Sequence, residues 1–307
     1  MLIEELKGIS DDMKKRLVEA GYKYVESVAT ETPANLALVL ETKVNVAGRI
    51  ISICRQQFKP TLITGLEFKE HFESLPRIPT GSEALDELLN GGILMEALTE
   101  FAGGYGSGKT QTCFTLSVMV QQEPINGSVI FIDTERTFRG NRIEEIARAR
   151  GIKENVLENI YVIPAETSDK LILTIDALRN VIREFNKTHE RKIKLVIVDS
   201  LISPFRADFV GRSELPIRQQ KLGHVLKELQ RIAKEFSLAV VFTNQVVATP
   251  DAFGKIIPTG GHVLAHVAQY RLFFRKSKEN KRIIRIIDAP DIPEQETVIR
   301  ISEKGIE

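Results

Sequence analysis

Eight successive residues with the side chains of a phosphate-binding turn follow an apolar run, Leu98–Phe101. They are Gly103, Gly104, Tyr105, Gly106, Ser107, Gly108, Lys109 and Thr110, in the pattern G-x-x-x-x-G-K-[ST]. Glycines let backbone N–H groups point inward at phosphate oxygens, at the positive end of the helix that follows. Lys109 is suited to neutralise phosphate charge, and the Thr110 hydroxyl is suited to hold Mg²⁺. The pattern predicts a nucleoside triphosphate site; the alternative is a glycine turn with a chance lysine.

Two further apolar runs end in acidic residues. Leu195–Val198 leads to Asp199, as expected of the acid on the Mg²⁺ side of a bound nucleotide. Ile130–Asp133 leads to Glu135. In parallel sheets the ligand lies beyond the carboxyl ends of the strands, so Glu135 is placed to orient or deprotonate an attacking water. The alternative for Glu135 is a surface glutamate at a strand end.

A pair of amides, Asn244 and Gln245, ends a third apolar run. Gln245 is placed to contact a γ-phosphate at the same rim of the sheet. The alternative is a solvent-facing amide in a loop.

The elements that would position these groups alternate between apolar runs and helical patterns. The expected strands are Leu98–Phe101, Val129–Asp133, Tyr161–Ile163, Leu195–Asp199 and Leu238–Asn244. The clearest helix is Leu215–Phe236, with apolar residues at i, i+3 and i+4. Such alternation predicts an α/β fold with a mostly parallel sheet covered on both faces. After Gly261, the runs Tyr270–Lys276, Lys281–Asp288 and Thr297–Ile301 predict an antiparallel edge.

The first 57 residues have a different pattern and predict a small helical module. Ser10 is suited to begin one helix and Thr32-Pro33 another, and Gly21 marks a stop. We therefore expect three segments: a helical domain at 1–57, a linker with a subunit-docking element at 58–77, and the α/β core at 78–307.

The composition excludes several classes of protein. The 307 residues are 43% hydrophobic and 27% charged, which argues against a disordered chain, a collagen-like chain or a coiled-coil rod. No apolar run reaches the roughly 18 residues of a membrane-spanning helix, and the acidic N-terminus lacks a signal-peptide pattern. Cys54 and Cys113 show no pairing or metal-ligand spacing. We expect a cytoplasmic protein without membrane association, whose net charge of +1 requires any nucleic-acid site to be locally basic.

Taken in order, short segments along essentially the whole chain resemble the RecA-type strand-exchange recombinases, namely the archaeal RadA proteins and their eukaryotic relatives. The segments are Ile78–Ser82, Leu85-Asp86, Gly91–Ile93, the phosphate loop, Phe131–Glu135 with Thr137–Arg139, Val196–Ser200, Phe205–Asp208 with Gly211-Arg212, Arg218-Gln219, Thr243–Val246, Gly260–His262, Asp288–Pro290 and Pro293-Glu294. The resemblance implies a RecA-like P-loop ATPase core preceded by an all-α helix-hairpin-helix domain. It further implies a DNA-dependent ATPase that assembles on single-stranded DNA and catalyses homologous pairing and strand exchange in DNA repair.

The resemblance also implies roles for single residues at a site for ATP and Mg²⁺. Glu135 matches the catalytic glutamate of the family, acting with Lys109 and Gln245. Asp199 matches the Mg²⁺-side acid, with Thr110 as the second ligand. Gln245 would link the γ-phosphate to the second DNA-binding loop.

Four more positions are implied to contact nucleotide. Arg142 falls where the family stacks an arginine on adenine. His266, Asp288 and Pro290 resemble groups that reach the nucleotide of the neighbouring subunit. ATP would then lie at the interface of a homo-oligomer, either a filament or a ring.

Two loops are implied to bind single-stranded and double-stranded DNA. The first is Ile202–Glu214, with Arg206, Phe209 and Arg212, and with Arg218 just beyond; the second is Val247–Gly261, with Phe253 and Lys255. Arginines pair with phosphates, and aromatic side chains stack on bases. Without the resemblance, the sequence of these two segments predicts only exposed irregular loops and does not indicate DNA contact.

The N-terminal module resembles a helix-hairpin-helix domain at Leu6–Ser10 and Glu19–Tyr22. Hairpin backbone amides would hold a DNA phosphate near Lys14, Lys15, Arg16 and Lys23. The alternative is a small helical domain with no DNA contact, whose lysines are only exposed to solvent. It stays open because the second hairpin, Leu40–Val46, lacks the expected glycine.

Two positions depart from the family. Leu62–Gly65 stands where the family has Phe-x-x-Ala, and the smaller leucine would weaken that subunit contact by ~1–2 kcal/mol. Arg136 replaces the glycine after the catalytic glutamate. These changes keep open a second interpretation, a RadA-paralogue regulator that binds ATP and DNA without exchanging strands. A third is a KaiC-like or helicase-like ATPase of the same fold.

Overall fold

Two separately packed units make up the chain, Met1–Glu73 and Ser74–Glu307. The computed structural model describes residues 1–22, 24–59, 62–248, 256–260, 264 and 266–307, and all of their side chains except those of residues 212, 248, 256 and 257. Phe253, Lys255 and Lys23, which carry sequence predictions, lie outside the described residues. No helix among these described residues is long and apolar enough to cross a membrane.

The first unit is helical. Its helices are α1 (Asp11–Glu19), α2 (Val25–Ala29), α3 (Pro33–Val39), α4 (Val44–Gln57) and α5 (Gly65–Ser74), the last ending at the unit boundary. The predicted starts are confirmed: the Ser10 hydroxyl accepts from the backbone N–H of Met13 at 3.3 Å, and Thr32 accepts from that of Asn35 at 3.2 Å. Such side-chain acceptors satisfy helix N–H groups that have no partner within the helix.

The hairpin that lacks a glycine contains a left-handed residue instead. Glu41, between α3 and α4, has φ +44°. Gly8, in the first hairpin, has φ +86°, where glycine is favoured. The turn between the later helices therefore forms with a non-glycine residue in the strained region. Helix α5 falls in the segment predicted to be the linker, 58–77.

The second unit is built on a nine-stranded sheet. Its strands, in chain order, are β3 (Leu98–Gly103), β4 (Ser128–Asp133), β5 (Ile160–Pro164), β6 (Ile193–Asp199), β7 (Ala239–Asn244), β10 (Tyr270–Lys276), β11 (Lys281–Asp288), β12 (Glu296–Ser302) and β13 (Gly305–Ile306). The described residues also form two two-stranded ribbons, β1 (Arg77–Ile78) with β2 (Ile93–Leu94) and β8 (Val246–Ala248) with β9 (Ile256–Pro258).

The spatial order of the sheet is β13-β12-β11-β10-β3-β7-β6-β4-β5. The pairs formed along β10, β3, β7, β6, β4 and β5 are parallel. The pairs formed along β10, β11, β12 and β13 are antiparallel. The α/β architecture with a mostly parallel sheet and an antiparallel edge, predicted from the alternating runs, is confirmed.

Helices cover both faces of the sheet. They are α6 (Glu83–Leu88), α7 (Lys109–Met119), α8 (Gly140–Ala149), α9 (Ser168–Thr188), α10 (Ser203–Asp208) and α11 (Leu215–Glu235). Side chains alternate along the strands: Leu195 and Ile197 enter one apolar core, while Val196 and Val198 enter the other. A strand buried on both faces is expected to be continuously apolar, as β6 is.

The first predicted loop is more regular than expected. Ile202–Glu214 contains α10 and a short 3₁₀ turn at Arg212–Glu214. Pro204 lies in the first turn of α10, where proline is tolerated, and Phe205 is fully buried in the sheet's core. Burial of Phe205 therefore fixes part of the segment as helix.

The two cysteines are both free and buried. Burial raises the pKa of Cys54 to about 11 and raises that of Cys113 well above its usual value. Both thiols are therefore held in the neutral form, which is the less reactive one.

Candidate functional site

The phosphate loop joins the end of β3 to the start of α7 at one rim of the sheet. Gly106 and Gly108 have φ of +67° and +106°, the left-handed conformation that favours glycine. The loop borders a cavity of about 590 Å³, which Glu135, Asp199 and Gln245 also line. The three predicted groups from separate strands therefore meet at the loop, as the parallel sheet requires.

Lys109 points into its own loop. Its Nζ donates to the carbonyl oxygen of Gly103 at 2.8 Å and to that of Gly104 at 3.0 Å. Burial lowers the pKa of Lys109 from its usual value, while the negative charges of Asp199 and Glu135 oppose that shift. The ammonium group thus lies where phosphate oxygens would be cradled, and it can exchange carbonyl partners for charged ones.

Asp199 and Thr110 supply adjoining oxygens. The Thr110 hydroxyl donates to Asp199 Oδ2 at 2.8 Å, and the Thr243 hydroxyl donates to Oδ1 at 2.5 Å. Burial raises the pKa of Asp199, and the two donors oppose that shift.

This oxygen pair fits Mg²⁺, a hard cation that keeps waters and is held by one or two protein oxygens plus substrate phosphates. Among the described residues, no cluster of three or more His, Cys, Asp or Glu forms a separate metal site.

The turn that carries Glu135 is shaped by Asp133, which the sequence analysis did not single out. Asp133 Oδ1 accepts from the backbone N–H groups of Glu135 at 3.2 Å and Thr137 at 3.1 Å, and Oδ2 accepts from Phe138 at 3.0 Å. A carboxylate that binds three backbone donors fixes the turn around it. Its position at the end of β4, two residues before Glu135, was the available signal.

Glu135 takes part in a series of side-chain hydrogen bonds. Its Oε1 accepts from Ser200 Oγ at 3.0 Å and from Gln245 Nε2 at 3.2 Å. Gln245 Oε1 in turn accepts from Arg206 Nη1 at 3.0 Å. We call Arg206, Gln245 and Glu135 the relay, since they join α10 to the cavity in that order.

Arg136, which stands where the resemblance implies a glycine, has φ +56°. That left-handed conformation explains why glycine suits the position. The side chain extends to Glu166, with Nε 3.3 Å from Oε1, and both groups lie outside the described lining of the cavity. The added charge is therefore paired beside the site, not within it.

Arg142 lies next to the cavity, in a neighbouring surface depression. Its Nε donates to Gln111 Oε1 at 3.0 Å, and its Nη2 donates to the Ser302 carbonyl. Gln111 lines the main cavity, so Arg142 is connected to that cavity by its hydrogen bond to the Gln111 side chain. The predicted stacking on adenine stays a prediction.

The residues predicted to reach a neighbouring subunit lie away from the cavity. His266, Asp288 and Pro290 are exposed and fall outside its described lining. Asp288 ends β11 opposite Arg271 of β10. Their arrangement leaves them accessible on the surface of the second unit.

The DNA-binding candidates fall into two groups. Arg206 is exposed and belongs to the relay, and Phe209 is half-buried with Lys221 Nζ 5.0 Å above its ring. Arg218 is half-buried. The side chain of Arg212 and all of Phe253 and Lys255 lie outside the described residues.

The sheet order, the phosphate loop and the acids at its rim define a RecA-like fold of the P-loop class. Comparison with known proteins agrees. A family model described as Rad51 matches residues 72–307, and the chain therefore belongs to the Rad51 family. The chain is also 42% identical, over 311 aligned positions, to the "DNA repair and recombination protein RadA" of Metallosphaera sedula. That alignment covers 99% of this chain and 94% of the relative.

Proposed function

We propose that the chain is a DNA-dependent ATPase that assembles on single-stranded DNA and catalyses homologous pairing and strand exchange in recombinational repair. Family membership and the similarity to a repair and recombination protein support the general role. The observation that carries the DNA dependence is the relay, because it joins the segment proposed to bind DNA to the proposed catalytic glutamate.

The residues that line the cavity have different roles in binding and hydrolysing ATP. Lys109 neutralises charge on the phosphates, and the backbone N–H groups of its loop hold their oxygens. Thr110 and Asp199 would hold Mg²⁺, which would supply further neutralisation of phosphate charge. Glu135 orients the attacking water and accepts its proton, while Ser200 and Gln245 fix the position of the carboxylate.

DNA acts on this site through Arg206 and Gln245. A phosphate of DNA competes with Gln245 for the Arg206 guanidinium, because a charged acceptor is stronger than an amide oxygen. Released from Arg206, the Gln245 side chain can turn its donor group, Nε2, away from Glu135 and towards a γ-phosphate in the cavity that it lines. DNA occupancy thereby alters the groups around Glu135. Phe209, Arg212, Arg218, Phe253 and Lys255 are proposed to hold the same DNA.

The assembly places ATP between subunits of a filament or a ring. The exposed His266, Asp288 and Pro290 are proposed to reach the nucleotide of a neighbour. Residues 58–77 are proposed as the linker that docks on the next subunit, since Leu62 is 93% exposed. Residues 1–57 are proposed as a helix-hairpin-helix DNA-binding domain, 78–307 as the ATPase core, and the cytoplasm as the location.

A second candidate is a RadA-paralogue regulator that binds ATP and DNA and assists another recombinase. The observation in its favour is Leu62–Gly65, where the docking side chain is a leucine. Joint-molecule formation by the purified chain separates the two candidates. The recombinase pairs homologous DNA by itself, whereas the regulator forms short oligomers and no joint molecules.

Replacing Arg206 by alanine tests the relay. We expect the stimulation of ATP hydrolysis by single-stranded DNA to fall about 10- to 150-fold, because one charged hydrogen bond contributes about 1.5–3 kcal/mol. The measurement is the steady-state ATPase rate across a titration with oligo(dT). Arg183→Ala is the matched control, since Arg183 is also an arginine in a side-chain bond, with Glu235 at 2.9 Å. Wild-type stimulation in Arg206→Ala would contradict the role of the relay.

A further inference from the structure

A buried acid of the central sheet takes no direct part in the nucleotide site. Glu100 lies on β3, the strand that leads into the phosphate loop, and its side chain is 0% exposed. It falls outside the described residues that line the cavity. A carboxylate is costly to bury unless it is paired and hydrogen-bonded, so its partners indicate what it does.

The two oxygens of Glu100 bind two different strands. Oε2 accepts from Arg271 Nε of β10 at 2.6 Å, and Oε1 accepts from Asn244 Nδ2 of β7 at 2.6 Å. The same Asn244 Nδ2 donates to the carbonyl oxygen of Thr259, also at 2.6 Å. The carboxylate and the amide thus form a continuous chain of contacts across three strands, ending on the backbone at Thr259.

Thr259 lies where the chain returns from the second proposed DNA loop. It directly follows β9, which pairs antiparallel with β8, Val246 opposite Pro258. The backbone N–H of Thr259 donates to the carbonyl of Gln245 at 2.9 Å. One side of Thr259 is therefore tied to the relay residue Gln245, and the other side is tied through Asn244 to Glu100. The residue is 8% exposed, so these contacts are shielded from water.

We propose that Glu100 is a positioning residue that, through Asn244, fixes the end of the β8–β9 ribbon relative to the strand of the phosphate loop. The ribbon is the base of residues 247–261. Assigning that segment to DNA contact rests on the proposed function, but the positioning itself does not. Shifts of the nucleotide loop are transmitted along β3 to the ribbon through buried polar bonds, which tolerate little misalignment.

Glu100→Gln is the direct test, because it keeps the size of the side chain and changes one acceptor into a donor. The amide oxygen still accepts from Arg271, but the new NH₂ group faces the NH₂ of Asn244. A 180° rotation of the Asn244 amide would let Asn244 Oδ1 accept from the new NH₂ group at position 100. The same rotation would move Asn244 Nδ2 away from the Thr259 carbonyl and so remove that hydrogen bond. We expect the backbone N–H groups of residues 256–260, other than Pro258, which has none, to exchange with deuterium about tenfold faster, with β3 and α7 unchanged.

Thr99→Val provides the matched control on the same strand. Thr99 is 1% exposed, and its hydroxyl has no hydrogen-bond partner among the described residues. The variant is therefore expected to leave exchange at residues 256–260 at the wild-type rate. If Glu100→Gln leaves those rates unchanged, or raises exchange equally throughout the sheet, the positioning role is wrong.

Asn244→Leu is a second variant for the same exchange measurement, to be used if Glu100→Gln does not fold. Leucine has the same branched skeleton as asparagine and leaves the Glu100–Arg271 ion pair in place, while it removes the bonds to Glu100 and Thr259. Faster exchange at residues 256–260 supports the proposal, and an unchanged rate overturns it.

The functional readout uses a fluorescent oligo(dT) and an ATP analogue on the full chain. In Glu100→Gln, we expect the Kd for oligo(dT) to rise about tenfold, while the Kd for the analogue without DNA stays within about twofold. Equal weakening of both would make Glu100 a general structural residue and overturn the proposal. Absence of DNA binding by the wild type would contradict the proposed function instead, and the exchange result would still decide the positioning role.

Discussion

Replacing Lys109 by alanine is expected to weaken ATP binding by about a hundredfold or more and to abolish hydrolysis. The ammonium group is the cation of the phosphate loop, and losing one partner of a buried charged pair costs about 2–5 kcal/mol. Its present bonds to the carbonyls of Gly103 and Gly104 show that it already occupies the cradle. Binding is measured with a fluorescent ATP analogue, and hydrolysis by phosphate release.

Lys187→Ala is the control for that substitution. Lys187 is an exposed lysine on α9, 2.8 Å from Glu184, so its loss removes one surface ion pair of small energy. Both variants are expected to unfold cooperatively, as measured by thermal denaturation. ATP hydrolysis at the wild-type rate in Lys109→Ala would show that Gly103–Thr110 is not the nucleotide site.

Replacing Glu135 by glutamine is expected to lower kcat by about 10²–10⁴ and to leave ATP affinity nearly unchanged. The amide keeps the size of the side chain and an oxygen for Ser200, but it cannot accept a proton from water. Steady-state kinetics give kcat and KM, and equilibrium binding of the analogue gives the affinity.

Glu184→Gln is the matched control for Glu135→Gln, because it removes an exposed carboxylate of α9 whose partner is Lys187. Its kcat is expected to equal that of the wild type. If Glu135→Gln instead weakens ATP binding and leaves kcat unchanged, Glu135 is a binding residue and not the base.

The apolar pattern predicts much of the core correctly, because burial on both faces leaves a strong signal. Tyr270–Lys276 and Lys281–Asp288 are strands with the predicted bounds, and the helix expected at Leu215–Phe236 ends one residue earlier. Alternation along the strands and the 3.6-residue period of the helix are local properties, so a single sequence contains them.

The hydrophobic periodicity of the sequence does not predict contacts between side chains that are far apart along the chain. Gln245 and Arg206 are 39 positions apart, and Asn244 and Glu100 are 144 apart. Nothing in local periodicity indicates that these side chains meet. The sequence showed Glu100 as a charge in an apolar run, and only the register of β3 with β7 and β10 explains its burial.

The first proposed DNA loop was predicted as irregular because α10 has six residues, too few for a periodic signal. Its helix depends on the burial of Phe205, a tertiary effect. Arg136 is the opposite case: the sequence marks it as a departure from the glycine that the resemblance implies. The structure shows a left-handed backbone there, which favours glycine and does not explain the arginine.

The central claim is that DNA controls ATP hydrolysis in a polymer of this chain. The most direct measurement is ATP hydrolysis by the wild type with and without single-stranded DNA, with electron micrographs of the same samples. We predict strong stimulation together with continuous filaments, which would show that Leu62–Gly65 suffices for subunit docking. DNA-bound short oligomers with little stimulation would contradict the claim and support the regulatory paralogue.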